Sequence, residues 1–129
     1  MNAATIAAAG IGAALGGVAR YVIGFWFLQR FGPGFPWGTL FINLTGSFLI
    51  AVVAELAGTR AFGITPTARI FIATGMLGGY TTFSTFSIDS LNLIESGGPS
   101  LTALYALASV GGGVLAAYAG QVLTRMALG

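Results

Sequence analysis

The chain contains no histidine and no cysteine. Their absence removes disulfide frameworks, structural zinc, haem ligation, thiol nucleophiles and imidazole acid–base catalysis. Charge is scarce as well: five Lys+Arg and three Asp+Glu in 129 residues make 6%, against about 25% in soluble domains. These charges stand singly, so no basic stripe exists to follow a phosphate backbone, and nucleic-acid binding is excluded. What fills the chain is apolar, with 56% hydrophobic residues and a mean hydropathy of +0.90. Such a composition reads as a membrane protein.

Crossing the hydrocarbon core takes roughly 20 mostly apolar residues. A 13.1 kDa chain therefore holds about four or five crossings at most and has no room for a soluble domain. The charges divide it into four. Arg30 closes a stretch that begins near Thr5, and an uncharged run from Phe31 to Ala54 precedes Glu55. A third runs from Ile70 to Ile88 between Arg69 and Asp89, and a fourth from Ser96 to Thr124 between Glu95 and Arg125. Pro33, Pro36, Pro66 and Pro99 all fall between these runs, where a missing amide donor does no damage. The expected fold is an all-α membrane protein with residues 1–129 as one four-span domain, its helices at about 5–28, 38–57, 67–93 and 101–126. The first segment is expected to be a span and not a secretory signal, because no positive region precedes it and it exceeds the roughly 7 to 15 apolar residues of one.

An even number of spans puts both termini on one side with Arg60, Arg69 and Arg125, against Arg30 on the other. That is a thin bias for the positive-inside rule, and it leaves insertion in both orientations open. Small residues recur at spacings of four: Gly12 and Gly16, then Ser109, Gly113 and Ala117, then Ala116 and Gly120. They let helices approach closely in lipid, either within one subunit or between two. A lone four-helix bundle fills its own interior, so a conduit made of these helices calls for a second copy.

Polar groups at membrane depth are costly and tend to line pathways. Arg20 lies about 15 Å of helix before Arg30, near half of the roughly 30 Å hydrocarbon thickness. It is either deep or snorkels to an interface with Tyr21 and Trp26 beside it. Asn43 reads as an amide donor to a pathway or as a link between helices. The run Gly78-Gly79-Tyr80-Thr81-Thr82-Phe83-Ser84-Thr85-Phe86 is the most informative. Two glycines and two β-branched threonines favour a helix break that frees backbone carbonyls, hard ligands suited to a cation such as sodium. The alternative is an intact helix whose hydroxyls bond back to carbonyls one turn earlier.

Together with Gly16-Gly17-Val18-Ala19-Arg20-Tyr21 and with Gly38-Thr39-Leu40-Phe41-Ile42-Asn43-Leu44-Thr45-Gly46-Ser47-Phe48, this run resembles the Fluc (CrcB) fluoride channels. The likeness extends over most of the chain. It implies an antiparallel, dual-topology homodimer in the inner (plasma) membrane, with the third helix broken near its middle. Each dimer would have two fluoride pores and a central structural sodium ion. By the same likeness Gly78 and Thr81 offer their carbonyls to the sodium. Asn43, Phe83, Ser84, Thr85, Phe86, Tyr105 and Ser109 form the fluoride pathway, and Arg20, which matches the family motif, serves either orientation or a raised local positive potential for the anion. Asp89 stands where family members often carry glutamate, and Gly113 where a further hydroxyl is expected.

The residues suit that chemistry. Fluoride is small and tightly hydrated, so a dry path must offer donors such as the Asn43 amide and the hydroxyls of Ser84, Thr85 and Ser109. Phenyl rings have a positive edge, by which Phe83 and Phe86 favour an anion; otherwise they are packing residues. A proton-coupled exporter would need a membrane-embedded carboxylate, but the first helix offers Arg20. An intramembrane enzyme would need paired acids, a histidine or a thiol. A structural subunit of a larger complex would not need the interleaved hydroxyls and phenyl rings of the third helix.

Overall fold

The computed structural model describes residues 1–59 and 62–129, and its regular elements there are all helical. Arg60, one of the charges weighed for orientation, lies outside the described residues. Helix α1 (Ala3–Phe31) opens on a reciprocal cap. The Asn2 side-chain oxygen accepts from Thr5 N at 3.0 Å while Thr5 Oγ1 accepts from Asn2 N at 3.1 Å. Two donors that a helix start leaves unpaired are thereby satisfied. The helix stops at Gly32, whose φ of 73° is open to glycine at little cost, and whose amide returns to Leu28 O at 2.9 Å. Pro33 and Pro36 occupy the turn into α2 (Trp37–Gly58). At about 1.5 Å per residue α2 is about 33 Å long, enough to cross the hydrocarbon core.

The third passage is built in pieces. A single turn, α3 (Pro66–Arg69), is capped by Thr65, whose Oγ1 accepts from Ala68 N at 3.1 Å. It continues as a π-helical stretch, π1 (Ile70–Leu77), and one more turn, α4 (Gly78–Tyr80). Thr81 (φ −79°, ψ 157°) and Thr82 (φ −153°, ψ 120°) are then extended, and helix resumes as α5 (Phe83–Ser96). The interruption falls where the glycine and threonine pairs stand in sequence. Neither half is long enough to span alone, so the uninterrupted apolar helices long enough to cross a membrane are α1, α2 and α6 (Gly98–Leu128) among the described residues. The chain is a multi-pass membrane protein.

Pro66 and Pro99 lie in the first turns of α3 and α6, not between helices. An N–H is not needed at those positions, so α6 starts at Gly98, ahead of Leu101 where the apolar run would place it. Ile42, only 2% exposed, forms the core with Leu77 and Tyr80, and Ile23 and Val53 pack against it. Helix α6 lies chiefly on α2, while α1 lies on π1 and α4.

The spaced glycines explain the second contact. A Cβ on Gly75 would stand 2.8 Å from Ala9 O, and one on Gly12 would stand 2.9 Å from Met76 N. Gly16 faces the Met76 carbonyl and Gly79 the Ala13 carbonyl in the same way. The two backbones therefore touch, and this contact has no room for a side chain at those four positions. Gly120 likewise abuts Phe48 O of α2. Gly12, Gly16 and Gly120 thus serve packing within the chain.

One end of the bundle is tied by charge. Arg125 Nη2 meets Glu55 Oε1 at 2.7 Å, and Gln121 Nε2 donates to the same oxygen at 2.9 Å, joining α6 to α2. At the opposite end of α2, aromatic rings gather: Trp26, Phe27, Phe31, Phe35, Trp37 and Phe41 form stacked, tilted and edge-to-face pairs.

Candidate functional site

The break is held by a residue on another helix. Asn43, nearly two turns into α2, commits both ends of its amide to Thr82. Its Nδ2 donates to Thr82 O at 3.0 Å and its Oδ1 accepts from Thr82 N at 2.8 Å. Thr82 is 8% exposed, so without Asn43 its amide and carbonyl would be orphaned away from water. Its hydroxyl caps α5, accepting from Thr85 N at 3.2 Å, donating to Thr85 Oγ1 at 3.0 Å and meeting Ser84 Oγ at 3.3 Å. Asn43 thus acts as an interhelical link, and its second amide hydrogen remains free for another acceptor.

These bonds liberate two carbonyls. In an unbroken α-helix Gly78 O would accept from Thr82 N, which goes to Asn43 instead. Thr81 O would accept from Thr85 N, which goes to the Thr82 hydroxyl. Leu77 O, by contrast, takes both the amide and the hydroxyl of Thr81 at 3.0 Å.

Two clefts flank the break. The first, of about 310 Å³, is lined by Asn43, Ser47, Gly78, Thr81, Phe83, Phe86 and Ser109 among others. Ser109 Oγ is buried there without a hydrogen-bond partner. The second, of about 430 Å³, is lined by Gly17, Arg20, Tyr21, Thr39 and Thr85. Thr82 borders both. The structure therefore divides most of the expected residues between the two clefts and leaves Ser84 and Tyr105 outside both. Gly78, Thr81, Asn43, Phe83, Phe86 and Ser109 share one cleft; Arg20, half-buried, and Thr85 share the other; and Ser84 is exposed at the start of α5.

From the first cleft a line of rings leads along α5 and α6. Phe83, 77% exposed, lies 5.6 Å from Phe86, and Phe86 lies 5.1 Å from Tyr105. Tyr105 is wholly buried, meets Phe35 edge to face at 5.5 Å and donates its hydroxyl to Asp89 Oδ2 at 3.3 Å. Asp89 opens on a further recess of about 300 Å³ with Thr39 and Asn92. Thr39 and Ser47 line the site without having been singled out from the sequence. They stand one turn either side of Asn43, so the spacing of four was the signal that marked a polar stripe on α2.

Residues 7–121 match the family profile described as "CrcB-like protein, Camphor Resistance (CrcB)". The chain belongs to the CrcB family. Among the relatives of this CrcB chain, one from Rhizobium meliloti is 53% identical over 116 residues, 90% of this chain and 92% of the relative. Another, from Nitrobacter winogradskyi, is 50% identical over 121 residues, 94% and 95% of the two chains. A third, from Agrobacterium fabrum, is 46% identical over 120 residues, 93% and 95% of the two. All three are named "Fluoride-specific ion channel FluC", the name of a channel and not of an enzyme. The matched region of the CrcB chain includes the break, both clefts and the ring line.

Proposed function

We propose that this chain is a fluoride-selective channel through which the ion leaves the cytoplasm passively, down its electrochemical gradient, across the cell's inner membrane. In this reading it works as an antiparallel, dual-topology homodimer with two pores and a central structural sodium ion. The observation that carries the proposal is the composition of the first cleft. One recess gathers freed carbonyls, a spare amide hydrogen on Asn43, the unpaired Ser109 hydroxyl and the exposed ring of Phe83 beside Phe86.

The donor set suits the metal. Carbonyl oxygens are hard ligands of the kind sodium takes, and Gly78, which carries one of them, is exposed. Two carbonyls are too few to replace a hydration shell, so a second copy across the open face completes the set. No group of three or more His, Cys, Asp or Glu among the described residues offers a competing metal site. When bound, the ion supplies fixed positive charge that lowers the cost of an anion in the same low-dielectric surroundings.

The chain's own groups do the rest. The ring edges of Phe83 and Phe86, the positive part of their quadrupole, would favour an anion, and the rings give a hydrated cation no oxygen to follow. The Ser109 hydroxyl and the free Asn43 hydrogen replace part of the water that fluoride sheds. Arg20, in the adjoining cleft, makes the approach positive. Proton-coupled export is disfavoured because Glu55 is engaged with Arg125 and Gln121, and Asp89 with Tyr105.

The test is reconstitution in liposomes loaded with fluoride or with chloride, followed by electrogenic efflux. Fluoride alone should leave, with no proton counterflow. Retention of fluoride, or equal loss of chloride, rejects the selective channel.

A further inference from the structure

Away from the break, α1 and α2 enclose a recess of about 470 Å³ lined by Val22, Ile23, Trp26, Phe27 and Phe41 alone. At about 100° of rotation per residue, Val22 and Trp26 point roughly opposite to Gly17, Arg20 and Gly24, which line the Arg20 cleft, while Ile23 and Phe27 lie between the two faces. The recess is firmly built. Phe27 stands 5.0 Å from Phe41 across to α2 and 5.0 Å edge to face from Trp26. It is also open, for Val22 and Trp26 are both more than half exposed.

Arg30 follows Trp26 by four residues and Phe27 by three, and so continues the same face of α1 into its last turn. It is exposed and has no ion-pair partner among the described residues. An all-apolar recess with a free guanidinium one turn beyond it, at the end of a membrane-crossing helix, matches a molecule with an alkyl chain below a negative headgroup. A second copy is a poorer match, because this side has none of the polar groups that the clefts at the break offer to a partner.

We propose that the α1–α2 recess binds an anionic phospholipid, with one acyl chain lying against Trp26, Phe27 and Phe41 and the phosphate on Arg30. The inference rests on the membrane-spanning fold and not on which ion the chain conducts. The chain's two tryptophans make it measurable. With Trp37→Phe, Trp26 is the sole indole, and its quenching is followed in vesicles that contain rising fractions of brominated phosphatidylglycerol or brominated phosphatidylcholine. Both lipids should quench, with phosphatidylglycerol favoured about five-fold, as expected for one arginine near an anionic surface. Arg30→Gln should abolish that preference, while Arg69→Gln should leave it intact. The unsubstituted chain, whose two tryptophans both belong to this aromatic end, provides the same comparison free of any folding defect. Equal quenching by the two lipids, a preference that survives Arg30→Gln, or one lost equally in Arg69→Gln overturns the proposal. So does absence of quenching by either lipid, which would put a second copy over the recess.

Discussion

Asn43→Ala tests whether the break is held from α2. The substitution removes both bonds to the Thr82 backbone, at 3.0 and 2.8 Å. At about 1 kcal/mol net for each, the loss is about 2 kcal/mol if water replaces the missing partners. Thr82 is only 8% exposed, and an unpaired buried amide or carbonyl costs about 1 to 3 kcal/mol, so the loss rises to about 4 kcal/mol if both stay dry. Ser47→Ala is the control. Ser47 lies one turn further along α2 in the same cleft and makes no bond to the break, so its loss should stay within about 0.5 kcal/mol. Reversible unfolding in mixed micelles, followed by helical circular dichroism, gives the stabilities, and fluoride efflux from liposomes gives the function. Asn43→Ala should lower both. Efflux lost at unchanged stability would mean that Asn43 serves only the ion, and the argument for a pinned break would fail.

The cap is a second target: Thr82→Val should cost about 1 kcal/mol in the same unfolding measurement, and Thr82→Ser should keep most of it, because the bond to Thr85 N needs only the hydroxyl. A methyl group on Gly12 would meet backbone atoms of Phe71, Gly75 and Met76, none of which has a flexible end to move aside. Gly12→Ala should therefore cost about 1 to 3 kcal/mol. Gly10→Ala, which meets nothing within 4 Å, should be neutral or gain about 0.5 to 1 kcal/mol of helix stability. Phe83 is 77% exposed, so Phe83→Ile should leave unfolding unchanged while lowering fluoride efflux by about ten-fold, a barrier higher by about 1.4 kcal/mol. Wild-type efflux would make that ring a packing residue.

The interruption of the third passage was legible because what makes it cheap is local: glycine pairs and β-branched pairs disfavour helix wherever they stand. The π-helical stretch was not, since Ile70–Leu77 is as apolar as any α-helical span and the choice between i+4 and i+5 bonding has no mark in composition. Nor was the use of the spaced glycines decidable from spacing, which is the same for a contact within one chain and for one between two. It took the approach of Gly12 to Gly75 and of Gly16 to the Met76 and Tyr80 backbone to assign them to the interior of one subunit. Tyr105 and Asp89 are joined across the tight Gly97–Gly98 connection, a pairing that depends on how α5 and α6 rotate against each other and not on either motif.

Asn43 is the most instructive case, because its two readings, donor to a pathway and link between helices, are not rivals. An amide has one acceptor and two donor hydrogens. The link to Thr82 uses the acceptor and one hydrogen, which leaves the other without a partner on a residue that lines the cleft where Ser109 is unpaired and Phe83 is exposed. The break is therefore not a property of the third passage alone. Its glycines and threonines make an interruption cheap, but the freed Thr82 amide and carbonyl are tolerable at membrane depth only because α2 brings one side chain with the complementary pair of groups to that point. Any change that rotates α2 against the third passage should disturb the break as surely as a substitution within it, and the polar stripe of Thr39, Asn43 and Ser47 would turn away from both clefts at once.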